Sequence, residues 1–134
     1  MKIFGIGTDI VSIVRIKKSI KNERFVSRVY NVKEISKCKK LIKSENCFAK
    51  RFAAKEAFSK ALGTGISNGI NLNEIIVKNN ISGKPYFNFE GNTKKLLKKK
   101  FKNKEIKTSL SLSDENKYAV AFVTISLWKK IKFF

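Results

Sequence analysis

The stretch RFAAKEAFSKALGTG, residues 51–65, has the pattern of a helix that runs into a glycine turn. The residues before it continue the pattern, so we predict a long helix over residues 45–62 that ends at Gly63. Three small residues recur at every fourth position and therefore lie along one side of this helix: Ala53, Ala57 and Ala61. Their size predicts that another element packs closely against the helix there.

One acid, Glu56, lies among three bases of this helix, Arg51, Lys55 and Lys60. At about 100° per residue, Glu56 and Lys60 are about 40° apart and share a face. Such a pair is typical of a surface ion pair worth a few tenths of a kcal/mol. The turn that follows, at residues 63–65, offers backbone N–H groups to an anionic oxygen, although a simple glycine helix cap is the commoner meaning of such a turn.

Outside the long helix, short strands and short helices alternate. We predict strands at residues 2–11, 73–80, 85–89, 106–113 and 118–127. We predict helices from a Ser12 cap to about residue 20, at 23–30, from Asn31 onward with a capping box to Glu34, and at 92–102. Short turns join the late strands, which favours an α+β fold: an antiparallel β-sheet packed with one long and several short helices.

The chain has 134 residues and a net charge of +20, which predicts one domain over residues 1–134 and an affinity for polyanions. Most lysines fit a solvated surface that reflects a lysine-rich composition, so the four arginines stand out. No apolar run approaches the ~18 residues that a bilayer span needs. Because Asp9 interrupts the apolar residues 3–14, we also expect no signal peptide.

The absence of histidine excludes every catalytic device that depends on an imidazole base, such as a Ser-His triad. Two cysteines without histidine cannot form the usual four-ligand zinc site. One disulfide between Cys38 and Cys47 is possible, but nothing in the sequence indicates an oxidising compartment, so we expect two reduced thiols that only pack. An enzyme of this composition must rely on carboxylates, lysines or a metal ion.

Asp9 is a carboxylate late in an otherwise apolar strand, which is costly unless it is paired or binds a metal ion. Together with Glu56 it suits Mg²⁺, which takes one or two carboxylates plus phosphate and water. A hydrogen-bonded turn residue is an equally good interpretation of Asp9 alone. Three arginines of the first two helices predict a basic patch for an acidic partner helix: Arg15, Arg24 and Arg28.

Two stretches, GIGTDIVSIVRI and FAKRFAAKEAFSKALGTGI, resemble the holo-acyl-carrier-protein synthases, the small bacterial-type 4'-phosphopantetheinyl transferases. The first is similar to a Gly-x-Asp motif followed six residues later by Arg, here Asp9 and Arg15. The second is similar to the family's long Arg-Phe-x-Ala-Lys-Glu-Ala signature, and ERFVSRVY, GKPYF and SLSLSDENKYAVAFV follow in the family's order. The resemblance covers essentially the whole chain.

This resemblance implies transfer of the phosphopantetheine arm of coenzyme A to a serine of apo acyl carrier protein, which supports fatty acid biosynthesis. The other product would be adenosine 3',5'-bisphosphate. The implied Mg²⁺ ligands are Asp9 and Glu56, and Lys60 would neutralise phosphate charge as a third catalytic residue. The implied contacts to coenzyme A are Arg51, Lys60, Gly63, Lys84, Lys107 and Ser109.

The resemblance further implies that Arg15, Arg24 and Arg28 meet the acidic recognition helix of the carrier protein. It also implies a homotrimer with active sites between subunits, in the cytoplasm or in an organelle of bacterial origin. The general base stays open between Glu56, a metal-bound water and a water held by Asp9.

The sequence departs from the family in one stretch, KTSLSL at residues 107–112, where the family usually has histidine at both ends. Lys107 could keep the positive charge that contacts the ribose phosphate, whereas Leu112 cannot replace a polar contact. Details of coenzyme A binding are therefore expected to differ here.

Two other classes of function fit the charge. A nucleic-acid-binding module is supported by the net charge of +20, but the basic residues are spread over the chain and no stacking platform is evident, so we expect no specific nucleic acid partner. A membrane-surface role would use the basic and aromatic segments 94–104 and 126–134. We treat the second as a secondary property.

Overall fold

Within residues 1–63 and 69–131, which a computed structural model describes, five α-helices and five strands follow one another in the predicted order. The strands are β1 (Lys2–Ser12), β2 (Ile75–Asn79), β3 (Pro85–Phe89), β4 (Lys104–Asp114) and β5 (Tyr118–Lys129). The helices are α1 (Ile13–Ser19), α2 (Glu23–Val29), α3 (Val32–Lys39), α4 (Ser44–Leu62) and α5 (Gly91–Lys100). The predicted α+β fold is confirmed, and the strand predicted from residue 73 begins later because Leu72–Glu74 forms a 3₁₀ turn.

The strands form two antiparallel sheets. One has the order β1-β5-β4, and the other is the β2-β3 hairpin. In the larger sheet, Asp9 of β1 lies opposite Ala121 of β5, which in turn lies opposite Leu112 of β4. β1 is therefore an edge strand of this sheet, and the long helix α4 packs against it.

The long helix α4 packs closely on β1 because both elements are made of small residues at the contact. A Cβ added to Gly5 would collide with the carbonyl oxygen of Ala61, and one added to Gly7 with that of Ala57. Glycine in the strand and alanine in the helix therefore allow an approach that larger residues would prevent. The predicted close-packing side of the helix is confirmed, and it fixes Asp9 beside the helix.

Three predicted helix ends are confirmed by local hydrogen bonds. The Ser12 side chain accepts from the backbone N–H of Arg15 at 3.3 Å and caps α1. Asn31 and Glu34 form the predicted capping box of α3. The helix α4 ends at Gly63, whose φ of +86° favours glycine.

The expectation of two reduced thiols is wrong, because Cys38 and Cys47 are joined in a disulfide. Cys38 is near the end of α3 and Cys47 is in the first turn of α4. Their Cα atoms lie 5.4 Å apart, a distance that a disulfide requires. The cross-link ties the start of the long helix to the helix before it.

Among the residues that the structure describes, none of the helices combines the length and the apolar character needed to cross a bilayer.

Candidate active site

Asp9 and Glu56 come together where β1 crosses α4. The Asp9 side chain is 15% exposed, and Glu56 is half-buried on the neighbouring helix face. Burial raises the pKa of Glu56, the negative charge of Asp9 raises it further, and the positive charge of Lys60 lowers it. Two carboxylates in one partly buried place repel each other, so the pair is expected to favour a cation.

Lys60 completes this group from the next turn of α4. Its ammonium donates to Oδ1 of Asp9 and to the carbonyl oxygen of Thr8, both at 3.0 Å. Its salt bridge is thus with Asp9, rather than with Glu56 as an i,i+4 surface pair would require. Since Asp9 is paired with Ala121 in the middle of a strand, its interpretation as a turn residue is wrong.

The donor set of this group fits Mg²⁺. Within residues 1–63 and 69–131, no cluster of three or more His, Cys, Asp or Glu side chains could form a protein-only cage. Magnesium rarely needs such a cage, because it is usually held by one or two carboxylates and keeps water or phosphate oxygens at its other positions. Asp9 and Glu56 provide two carboxylates of this kind, while the side chain of Lys60 is 56% exposed and accessible to a phosphate.

Gly63 lies three residues after Lys60, at the end of α4. Its own N–H donates to the carbonyl oxygens of Ser59 and Lys60, so that group serves as the helix cap. The other two residues of the predicted anion-binding turn, Thr64 and Gly65, lie outside the described residues.

The other two bases of α4 point away from Glu56, which corrects the expectation that all three surround it. Lys55 is fully buried and donates to Oε1 of Glu34 at 2.7 Å and to the carbonyl oxygens of Leu72 and Ile75 at 2.9 and 2.6 Å. Burial lowers its pKa to about 8, while the charge and hydrogen bond of Glu34 oppose that change. Lys55 therefore stays mostly protonated at neutral pH and links α4 to α3 and β2.

Arg51 belongs to the same buried network, and its predicted contact with coenzyme A stays a prediction. Its guanidinium is 4.0 Å from Glu34 and donates to Oδ1 of Asn79 at 3.1 Å and to the Cys47 sulfur at 3.2 Å. The sequence indicated only the capping role of Glu34. Glu34 also serves as the buried counter-ion of two bases. Its partners there, Arg51 and Lys55, are 17 and 21 residues away in sequence, so no local sequence pattern indicates this role.

Lys84 lies in the turn between β2 and β3, directly before Pro85. The Asn79 side chain connects Arg51 to the backbone of this turn, because it accepts from Arg51 and donates to the carbonyl oxygen of Gly83 at 3.0 Å. An open cavity of about 610 Å³ adjoins Arg51 and Asn79. Five of the residues that line it are basic: Lys37, Lys40, Lys43, Lys50 and Arg51. One acid, Asp114, also lines the cavity and forms a salt bridge with Lys50 at 3.2 Å, so the bases exceed the acids and the region is suited to an anion.

Lys107 and Ser109 lie on the outer face of the larger sheet, opposite Ser126 and Thr124 of β5. Both are exposed, and the Lys107 ammonium is 4.3 Å from the centre of the Trp128 ring. Leu112, where the family commonly has histidine, points to the inner face and packs against the hydrophobic core. Leu112 therefore contributes to core packing, and its side chain makes no polar contact.

Arg15 of α1 and both Arg24 and Arg28 of α2 are exposed. The aromatic residue between the two α2 arginines, Phe25, is half-buried against Tyr30 and Phe52. The packing of Phe25 anchors α2 and leaves its arginines in solvent.

The predicted residues thus fall into separate groups. Asp9, Glu56 and Lys60 form one group, and Lys107 and Ser109 lie together on the outer face of the larger sheet. Arg51 belongs to the buried network of Glu34, and Lys84 lies in the β2-β3 turn.

Comparison with known proteins identifies the family to which the chain is similar. Residues 5–123 match the 4'-phosphopantetheinyl transferase superfamily. The holo-[acyl-carrier-protein] synthase of Pelagibacter ubique (strain HTCC1062) is 49% identical over 125 residues, which cover 93% of this chain and 98% of the relative.

Solved structures are similar as well. The crystal structure of holo-[acyl-carrier-protein] synthase from Neisseria meningitidis has a TM-score of 0.82 and 39% identity, covering 92% of this chain and 98% of that one. A synthase from Bacillus anthracis str. Ames, in complex with CoA (3',5'-ADP), has a TM-score of 0.75 and 33% identity, covering 93% and 97%.

Proposed function

The chain belongs to the 4'-phosphopantetheinyl transferase superfamily, within its holo-[acyl-carrier-protein] synthase enzymes, and from this premise we propose the reaction that it catalyses. It transfers the 4'-phosphopantetheine arm of coenzyme A to a serine of an apo acyl carrier protein and releases adenosine 3',5'-bisphosphate. The observation that carries this proposal is the meeting of Asp9, Glu56 and Lys60 between β1 and α4. A binding module has no evident need for two carboxylates held together in a chain with ten acids and thirty bases.

Asp9 and Glu56 would hold Mg²⁺ in this reaction. When bound, the ion supplies positive charge that orients a pyrophosphate and stabilises the charge that develops on it. The two carboxylates would bind it through hard oxygens, in agreement with the donor set described above. Magnesium dependence is therefore part of the proposal.

Lys60 acts on the phosphate side of the reaction. Its ammonium is positioned by Asp9 and by the Thr8 carbonyl, so the charge is held in place before the substrate binds. Phosphoryl transfer depends mainly on positioning and charge stabilisation, and Lys60 contributes to both. The bond that breaks joins phosphorus to the bridging pyrophosphate oxygen, and the new bond joins phosphorus to the serine oxygen.

Glu56 is the group of this chain best suited to accept the serine proton. Without a bound metal ion, burial and the charge of Asp9 raise the pKa of Glu56, and the charge of Lys60 lowers it. A water bound to the metal or held by Asp9 would be the alternative base. Glu56 is favoured for its position beside Asp9 and Lys60, where the phosphate is proposed to bind.

We also propose a homotrimer whose active sites lie between subunits. Its support is the outer face of the larger sheet, where four large apolar side chains are between 37% and 63% exposed: Ile6, Ile10, Val120 and Phe122. An exposed apolar patch of this kind is typical of a protein interface. A shared site also explains why Lys107 and Ser109 lie on that face, away from Glu56.

The exposed arginines of α1 and α2 are proposed to bind the acidic helix of the carrier protein. Arg24→Glu or Arg28→Glu should raise the KM for the carrier protein by roughly tenfold and leave the KM for coenzyme A nearly unchanged, because charge complementarity acts on encounter. The matched control is Lys39→Glu, an equal charge change at the end of α3. A rise in the KM for coenzyme A instead would assign the patch to the nucleotide.

The test of the reaction itself is incubation of the protein with coenzyme A, Mg²⁺ and an apo acyl carrier protein, followed by intact mass measurement of the carrier. The expected result is a mass gain equal to phosphopantetheine that requires Mg²⁺. No mass gain with any of several carrier proteins would contradict the proposed reaction. A gain that persists in the presence of a chelator would contradict only the role of the metal.

The proposed setting is fatty acid biosynthesis in the cytoplasm or in an organelle of bacterial origin, served by one transferase domain over residues 1–134. The resemblance to bacterial synthases supports this setting.

A further inference from the structure

A second cavity lies between β3, α5 and the start of β4, with a volume of about 370 Å³. Its floor consists of apolar side chains: Phe87, Phe89, Leu97, Phe101 and Ile106. Three of them, Phe87, Leu97 and Phe101, are only 5–9% exposed. The volume falls in the range of small-molecule pockets, roughly 300–1,000 Å³.

The rim of this cavity is positively charged. Four lysines from three parts of the chain line it: Lys94, Lys98, Lys104 and Lys130. Lys130 is directed here by a hydrogen bond from its ammonium to the carbonyl oxygen of Lys102, at 3.1 Å. None of the described residues that line the cavity is acidic. We refer to it as the lysine-rimmed cavity.

Like charges around one opening repel each other, and an anion bound between them would remove that cost. The lysine-rich composition alone does not account for four lysines around one opening, because they come from three parts of the chain that meet only in the folded protein. On α5, Lys94 and Lys98 line the cavity, whereas their neighbours Lys95 and Lys99 do not. α5 therefore carries two similar lysine pairs, and only the pair Lys94 and Lys98 lines the cavity.

The lysine-rimmed cavity is separate from the proposed active site. Phe58 of α4 packs beneath Phe87 and Phe89, with ring centres 5.4 and 4.9 Å apart. Phe58 and Glu56 are two residues apart, which on a helix places them about 200° apart on opposite sides. The cavity and the Asp9–Glu56 pair therefore lie on opposite sides of α4.

We propose that the lysine-rimmed cavity binds a single aliphatic chain that carries a carboxylate, that is, a fatty-acid-like amphiphile. The buried apolar floor suits the chain, and the lysine rim suits the anionic head. A bilayer is a poorer fit, because its surface would meet the exposed lysines but could not reach apolar side chains that are 5–9% exposed. The proposal concerns binding and does not depend on the transferase reaction.

The experiment is calorimetric titration of the purified protein with laurate below its micelle concentration, in the absence of coenzyme A. Dodecyltrimethylammonium, with the same chain and the opposite charge, and acetate, with the same head and no chain, should bind far more weakly. Lys94→Glu/Lys98→Glu should weaken laurate binding by about tenfold or more, equivalent to about 1.4 kcal/mol, and the matched Lys95→Glu/Lys99→Glu by less than about twofold. All four positions are exposed, so each variant is expected to fold.

Several results would overturn the proposal. Equal weakening in the two double variants would show that laurate responds to general charge and not to the cavity. Equal binding of the cationic amphiphile would remove the role of the rim. Binding only to vesicles that contain phosphatidylglycerol would assign the surface to membranes, and competition by coenzyme A would make the cavity part of the active site.

Discussion

Glu56 is held in surroundings that disfavour its charge. Burial is the main reason that its pKa is raised, and the nearby charge of Asp9 adds to it. A carboxyl group whose pKa is higher in the folded than in the unfolded state weakens the fold when it is ionised. Charged groups kept in such surroundings are common at functional sites, because the same surroundings make them reactive.

Glu56→Gln should therefore abolish transfer and leave stability unchanged or increased near neutral pH. The sign follows from the raised pKa: above it, Glu56 is ionised in both states, only the folded state carries the cost, and the neutral amide removes that cost. Transfer is measured by carrier mass, and stability by thermal unfolding. The control is Glu23→Gln, an exposed acid of α2. Near-normal transfer by Glu56→Gln would contradict the assignment of this residue.

Lys55 illustrates the opposite case, a buried charge with a structural role. Its ammonium has three acceptors, Glu34 and two backbone carbonyls, and no exposure. Lys55→Met should lower the free energy of unfolding by about 3–5 kcal/mol, because it leaves Glu34 buried with a weakened counter-charge. Unfolding in urea measures the change.

Two further variants make that prediction specific. Glu34→Gln/Lys55→Met should lose less stability than the sum of its single variants, because it removes both charges of the pair, although Arg51 also loses its counter-charge. Lys95→Met on the exposed side of α5 should have little effect. If the double variant is as unstable as the sum of its single variants, the charge pairing is not the source of the loss.

At the scale of elements, predictability depended on how far apart the partners are in sequence. The caps of α1, α3 and α4 were predicted because each partner lies within a few residues. The start of α5 was predicted to within one residue, but its cap was not, because the capping side chain is that of Glu74, 18 residues before the N–H of Asn92. Its carboxylate also accepts from the N–H and hydroxyl of Thr93, at 3.1 and 2.9 Å.

This long-range cap predicts a pH dependence. Burial by itself would raise the pKa of Glu74, but hydrogen bonds from Asn71, Thr93 and Asn92 outweigh it and lower the pKa below the ordinary value of 4.5. The stabilisation is thus present above the unfolded pKa and is lost as the pH falls through the folded pKa. Glu74→Gln should be less stable than wild type at neutral pH, and the difference should shrink on acidification.

Urea unfolding of both proteins across the acidic range measures that difference. Glu90→Gln, at the formal start of α5 but without a side-chain cap, is the control and should show no such convergence. A difference that stays constant down to the acid limit would mean that the Glu74 carboxylate does not cap the helix.

For the whole molecule, the sequence motifs were sufficient to predict the Asp9–Glu56 pair and the order of elements. They could not predict that Lys55 and Arg51 turn inward to Glu34, or that Cys38 and Cys47 are joined, because those contacts arise from the packing of α3 against α4. Helix periodicity does predict one separation among the proposed coenzyme A residues, because Arg51 and Lys60 are nine residues apart and so lie on opposite faces of α4. That separation has a consequence for the assembled enzyme.

If active sites lie between subunits, two different inactive variants should restore each other. Glu56→Gln lacks the carboxylate proposed to bind Mg²⁺ and to accept the serine proton. Lys84→Glu/Lys107→Glu lacks two positive charges proposed to contact the phosphates of coenzyme A. Both lysines are exposed, so this variant avoids disturbing the buried Arg51 network.

In an equal mixture that exchanges subunits freely, about one quarter of the interfaces should combine an intact Glu56 from one chain with intact lysines from its neighbour. Transfer should therefore rise from near zero toward about a quarter of the wild-type rate, as measured by carrier mass. Native mass spectrometry confirms that mixed assemblies have formed, and a mixture kept from exchanging serves as the control. Mixed assemblies that remain inactive would show that these groups do not meet across an interface.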